Sequence, residues 1–166
     1  MKTLRYFLVL FLFEGVLTTA AQEKSGGILQ VQGEVVHPRS YSLDDLKKLG
    51  ADTASFRDRA GEKHLFRGVP ILHILRQAGV SLGRELRGEN LSKYLLVQAG
   101  DGYQVLFSLA ELDSNFRDRN ILLAYEMDGK TLPKDKGQLR LIVPDEKVPA
   151  RSCYDVVSFY IGWAKE

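Results

Sequence analysis

Three histidines, one cysteine and a short basic cluster are the groups in this sequence that could hold a metal, act as a nucleophile or bind an anion. His37, His64 and His73 are too dispersed for the spacing a metal site demands. Cys153 follows Arg151-Ser152 and precedes the apolar run Val156 to Ile161. Free cysteines are among the most buried residue types, so Cys153 is expected to be a packed residue. Lys134, Lys136 and Arg140 form the densest basic cluster, but Asp135 sits inside it, and a solvated loop explains it best. Asp101-Gly102-Tyr103 reads as a two-residue hairpin turn followed by an aromatic that packs across the paired strands. The chain has no glycine-rich phosphate loop, nucleophile elbow or His-Glu zinc helix, so hydrolase and nucleotide-binding readings lack support.

The elements that position these groups follow from periodicity. Leu29, Val31, Gly33 and Val35 alternate with polar neighbours, as in a strand with one buried face, and Pro38 ends that strand. Ser42 is placed to cap a short helix bearing Leu43, Leu46 and Leu49, which stops at Gly50. Thr53 to Asp58 and Glu62 to Phe66 flank Gly61 as a hairpin, with Arg57, Arg59, Lys63 and Arg67 on its wet face. Gly68-Val69-Pro70 leads into a helix through Leu75 that closes at Gly79. Residues 81–92 read as a charged surface loop. Tyr94 to Gln98 and Tyr103 to Phe107 pair across the Asp-Gly turn, Ser108 caps a short helix, and strands follow at Ile121 to Met127, Leu139 to Val143 and Val156 to Trp163. Strands separated by a few short helices, without regular alternation, predict an α+β domain built on mixed β-sheets.

Lys2 and Arg5 precede an apolar run from Tyr6 to Phe13, and Ala20-Ala21 supplies small residues for cleavage. The run is eight residues long and ends at Glu14, whereas a spanning helix needs about 20. Residues 1–21 are therefore expected to be a signal peptide, 22–27 a frayed lead-in, and 28–166 a single domain. Cleavage after Ala21 removes 21 of the 166 residues and leaves 145, enough to bury a core without disulfide or metal. It also removes Lys2, Arg5 and Glu14, leaving 21 basic and 20 acidic residues. That balance argues against a nucleic-acid partner. With no membrane attachment after cleavage, the expected location is secreted or periplasmic.

Three blocks of sequence, read together, resemble the molybdopterin-binding domain family of sulfite oxidase and its bacterial relatives. They are Gly33 to Pro38 with Tyr41 to Leu46; Phe66 to Ile71 with Ile74 to Val80; and Asp101 to Tyr103, Leu122 to Gly129, Leu132-Pro133 and Gly137 to Pro144. The resemblance covers nearly the whole mature chain and implies the sulfite-oxidase-type fold. In catalytic members a pterin dithiolene and one protein cysteine hold molybdenum, which moves an oxygen atom to or from sulfite or a sulfoxide. That cysteine lies between the first helix and the Gly-Val-Pro segment. Here Gly50 to Arg67 contains no cysteine, and Thr53-Ala54-Ser55-Phe56-Arg57 stands in its place. A serine hydroxyl is a far poorer soft-metal ligand than a thiolate.

The resemblance also implies cofactor contacts at Arg140, Ser152 and Tyr154. Arg140 matches the arginine that helps hold the pterin phosphate, a role suited to a planar donor fork, with a structural ion pair as the alternative. Two departures bear on this: Gln138 replaces the usual proline, and Tyr154 stands where a basic residue is usual. The expectation is a degenerate, non-catalytic family member that needs no cofactor and binds a small anionic ligand or a protein partner. Its alternative is a molybdopterin-dependent oxidoreductase acting on sulfite- or sulfoxide-type substrates. No haem-attachment motif is present to serve such an enzyme.

Overall fold

The computed structural model describes residues 27–164 apart from Arg59, Arg119 and Asp145. The predicted signal peptide and most of the lead-in therefore lie outside the described residues. Two five-stranded sheets carry the domain. The first runs in the order β2 (Arg39–Tyr41), β1 (Leu29–Gly33), β10 (Val156–Trp163), β5 (Lys93–Ala99), β6 (Gln104–Ser108). Its β1–β10 pair is parallel and its other pairs antiparallel, which makes the sheet mixed. The second runs β3 (Asp52–Arg57), β4 (Lys63–Pro70), β7 (Leu122–Met127), β8 (Lys130–Thr131), with β9 (Arg140–Ile142) also on β7.

Short helices bridge these strands. In α1 (Leu43–Lys48) the Ser42 hydroxyl accepts from the Asp45 N–H, and the Asp45 carboxylate accepts from the Ser42 N–H. Each partner satisfies a donor the first helical turn leaves free. The same reciprocal cap joins Ser108 and Glu111 at α3 (Leu109–Leu112). α2 (Ile71–Gln77) buries Ile71, Ile74 and Leu75. Among the described residues, no helix is long and apolar enough to cross a membrane.

The main core takes Leu29, Val31, Phe159, Ile161, Leu95, Val97 and Phe107 from the first sheet, and Val69, Leu123, Tyr125 and Leu141 from the second. Strand alternation sends the neighbours of the latter set to the opposite face. There Ala54, Phe56, Phe66, Leu122, Ala124, Leu132 and Ile142 form a smaller cluster. The second sheet is thus covered on both faces near β7, where four consecutive residues from Leu122 to Tyr125 are buried. This second cluster is what places the candidate site.

Several expectations change in detail. The first strand stops at Gly33, at φ 94°, where a Cβ would overlap the Ile161 backbone, so Val35 leaves the alternation. Residues 39–41 form an unanticipated strand against β1. The loop expected over 81–92 holds two 3-10 turns, Gly83–Glu85 and Gly88–Ser92, with Leu86 buried between them. The β5–β6 connection spans Gly100, Asp101 and Gly102, because the Ala99 N–H donates to the Tyr103 carbonyl. It is a three-residue loop rather than a two-residue turn.

One tie between hairpins titrates. His64 Nδ1 lies 2.7 Å from Asp128 Oδ2, while Asp128 Oδ1 accepts from the Leu65 N–H. The hydrogen bond it donates to Asp128 holds the His64 imidazolium above its ordinary pKa, and the Leu65 and His64 bonds hold Asp128 below the usual carboxylate range. A raised histidine contributes stability that is complete below its unfolded pKa of about 6.5 and lost as pH rises through the folded value. The lowered Asp128 contributes above its own unfolded value and loses that as pH falls. Melting temperature is therefore expected to decline as pH climbs from about 6.5, and His64→Ala should flatten that slope. An unchanged slope would show that the pair is not coupled to folding.

Candidate functional site

Arg140 opens β9, opposite Ala124 of β7, on the same strand face as Ile142. Alternation therefore turns it away from the main core and into the cluster of Phe56 and Phe66. The side chain is only 4 % exposed, so the solvated loop expected of this residue ends before it, at the exposed Lys134 and Lys136. Three rings surround the guanidinium: Cζ lies 3.9 Å from the ring centroid of Tyr154, 4.9 Å from Phe66 and 5.3 Å from Phe56. The two phenylalanines meet edge to face, with centroids 6.2 Å apart and planes at 74°. Desolvation pulls the pKa of Arg140 down, against the opposing influence of Tyr154, Asp58 and Cys153. The rings supply cation–π attraction in part compensation, worth about 2 kcal/mol in a desolvated setting. Arg140 Nε remains buried with no hydrogen-bond partner.

The chain returns alongside β9 to complete the surround. The Leu141 N–H donates to the Cys153 carbonyl at 2.9 Å, and the Val143 N–H to the Ser152 hydroxyl at 3.0 Å. These bonds lay residues 152–154 against β9, with Cys153 in the main core and Tyr154 over Arg140. The preceding 3-10 turn, Pro149–Arg151, is anchored by Arg151, whose guanidinium bonds Glu146 and Glu111 and lies 4.3 Å from the Phe107 ring. Tyr103 does not pack across its hairpin as expected: it is half exposed, and its hydroxyl donates to the Ala150 carbonyl.

A cavity of about 790 Å³ opens among these segments, lined by Arg140, Ser152, Cys153 and Tyr154. The structure thus brings Arg140, Ser152 and Tyr154 together around one space. The remaining wall comes from Asp58 and Ala60, the Asp101 to Tyr103 stretch, the Asp135-Lys136 turn and Asp155. Asp155, at φ 48°, is stitched into place because its carbonyl accepts from the Gly100 N–H and its own N–H donates to the Lys136 carbonyl. Sequence reasoning missed Phe56, Phe66 and the aspartates of this wall. The alternation marks the two phenylalanines as buried, but nothing local marks them as neighbours of a cation some 75 to 85 residues further on.

Residues 20–152 match the oxidoreductase molybdopterin binding domain family, and the chain belongs to it. Arg140 and Ser152 fall within the matched span, and Tyr154 lies beyond it. Among solved structures, the sulfane dehydrogenase SoxCD from Paracoccus pantotrophus is similar, with a TM-score of 0.63 at 20% identity over 82% of this chain. The fold is accordingly a mixed-sheet domain of the sulfite-oxidase type. The chain spans 38% of that protein's chain, little more than a third of its length. No curated protein matches it.

The residues present do not fit molybdenum ligation. Strand β3 turns Ala54 and Phe56 inward and leaves Ser55 exposed, so the interval in which the family resemblance puts the ligand gives aromatic carbon to the small cluster around Arg140. The lone cysteine, Cys153, stands outside that interval, in the main core beside β9. Among the described residues, no group of three or more His, Cys, Asp or Glu side chains is arranged to hold a metal. The Ser152 hydroxyl accepts from the Val143 N–H, and the Tyr154 ring stacks on the Arg140 guanidinium.

Proposed function

We propose that this chain is an exported, non-catalytic member of the family whose cavity binds a small ligand through an acidic group directed at Arg140. The observation that carries the reading is the state of that arginine: a permanent cation, nearly buried, caged by aromatic rings, its Nε without a hydrogen-bond partner, on a residue that lines a ligand-sized cavity. A buried donor left unsatisfied costs about 1–3 kcal/mol, more for a charged group. Structures retain such a group where something else completes it. A carboxylate or sulfonate matches the guanidinium fork in shape and charge. Export rests on the leader-like pattern of residues 1–21, and the absence of catalysis on the missing thiolate between Gly50 and Arg67.

The test has two parts. Protein purified from its own organism should begin near Gln22 by intact mass and hold no stoichiometric molybdenum. A thermal-shift panel of small organic acids and amino acids, each beside its uncharged amide, should raise the melting temperature only where the acid group is present. Near-equimolar molybdenum lost on Cys153→Ser would overturn the reading in favour of an oxidoreductase. Amides that bind as well as their acids would remove Arg140 from the site.

A further inference from the structure

The charge around the cavity narrows the ligand class, on the reading that Arg140 takes an acidic group. Four carboxylates line the wall, Asp58, Asp101, Asp135 and Asp155, against Lys136 and Arg140 among the described residues. Some of this charge is already matched. Lys136 Nζ lies 3.7 Å from the Asp135 carboxylate and also 5.5 Å from the Tyr154 ring. Asp58 accepts from the Glu62 N–H and stands 3.7 Å from His64 Nε2. Among the described residues, Asp101 accepts from the Tyr103 backbone N–H, and neither it nor Asp155 pairs with a cation. What is left among the described residues is one buried cation, Arg140, and two carboxylates without a cationic partner, Asp101 and Asp155.

A simple anion entering this cavity would gain Arg140 but pass two negative charges at its exposed rim, Asp101 and Asp155, which repel it. A neutral ligand would leave both signs unanswered. A ligand with an acid at one end and an ammonium at the other answers both. We propose that the cavity is a site for a zwitterionic amino acid or amino sulfonate, its acid group on Arg140 and its ammonium between Asp101 and Asp155. Tyr103, half exposed and bonded to Asp101 through its backbone N–H, lines the same end of the cavity. Asp155 is built to stay there: its side chain fills the space that a Cβ on either Gly100 or Gly137 would need. The nearly buried Arg140 on the cavity wall, its Nε unpartnered, is the independent sign that an acid group belongs at this end.

The experiment is calorimetric titration of the full mature chain with ω-amino acids of two to six carbons and with the matching unsubstituted carboxylic acids. At least one amino acid is expected to bind tenfold or more tightly than its matched acid, and the preferred length measures the gap between the two charged ends. Asp101→Asn should erase most of that preference while leaving the weaker acid binding unchanged or improved, with melting temperature reporting that the variant is folded. Acids that bind as tightly as their amino counterparts at every length would overturn the zwitterion assignment and leave the acid-binding reading standing. Absence of binding by both series would overturn both.

Discussion

Phe66→Ala is expected to cost about 3–5 kcal/mol, the usual loss for truncating a buried aromatic. Phe66 is fully buried, and its ring both meets Phe56 edge to face and covers one side of the Arg140 guanidinium. Its removal forfeits apolar burial and also strips a cation–π contact from a cation that has few other partners. In a domain of this size the change should lower the melting temperature by roughly 10 °C or more. Leu65→Ala, the neighbouring residue on the exposed face of β4, should stay within about 0.5 kcal/mol. Calorimetry of the pair separates the two faces of one strand. Equal losses would show that the small cluster is not a packed core.

That contrast between Leu65 and Phe66 was legible in the sequence, because a strand's period of two assigns its faces from residue type alone. So were both serine-capped helices, where a hydroxyl and a carboxylate three residues apart answer local donors. Local chemistry also announced Gly68-Val69-Pro70, although its reason is non-local. A Cβ on Gly68 would overlap the backbone at Leu123 and Ala124 of β7, beside the register shift between Arg67 and Gly68. What periodicity cannot carry is partnership at long range. The parallel pairing of β1 with β10 joins the two ends of the domain, and no residue in either strand names the other. Strand β2 was invisible for a related reason, since three residues after a proline have no period of their own and depend on β1 for their hydrogen bonds.

The candidate site divides along the same line. Family resemblance singled out Arg140, Ser152 and Tyr154, and the structure sets all three on one cavity. Their environment was out of reach of sequence. A lysine-rich stretch with an aspartate inside it looks like a solvated loop at every position, and the transition to a three-residue buried strand at Arg140 is made by β7 and by residues 152–154 closing over it. That Gly50 to Arg67 holds no cysteine was plain in the sequence; that Phe56 turns inward from the same interval, against the guanidinium, required the register of β3 on β4.

Arg140→Met should leave stability within about 1 kcal/mol of the parent while weakening acid-bearing ligands by about 10- to 100-fold. The first half follows because Arg140 makes no ion pair among the described residues. Truncating one member of a buried salt bridge costs about 3–5 kcal/mol because the other charge is stranded, and here no carboxylate is stranded. The substitution gives up cation–π attraction worth about 2 kcal/mol and the guanidinium's packing. In return it relieves the desolvation of a cation and the orphaned Nε. Met fills irregular apolar space well, and three rings already line it. The second half follows from the lost charge-assisted bonds to a bound acid, worth about 1.5–3 kcal/mol. Chemical denaturation and calorimetric titration of the same variant read the two halves together. A loss of several kcal/mol with binding unchanged would make Arg140 a structural cation. Unchanged stability with binding lost would mark it as a residue kept for its ligand at the expense of an otherwise apolar cluster.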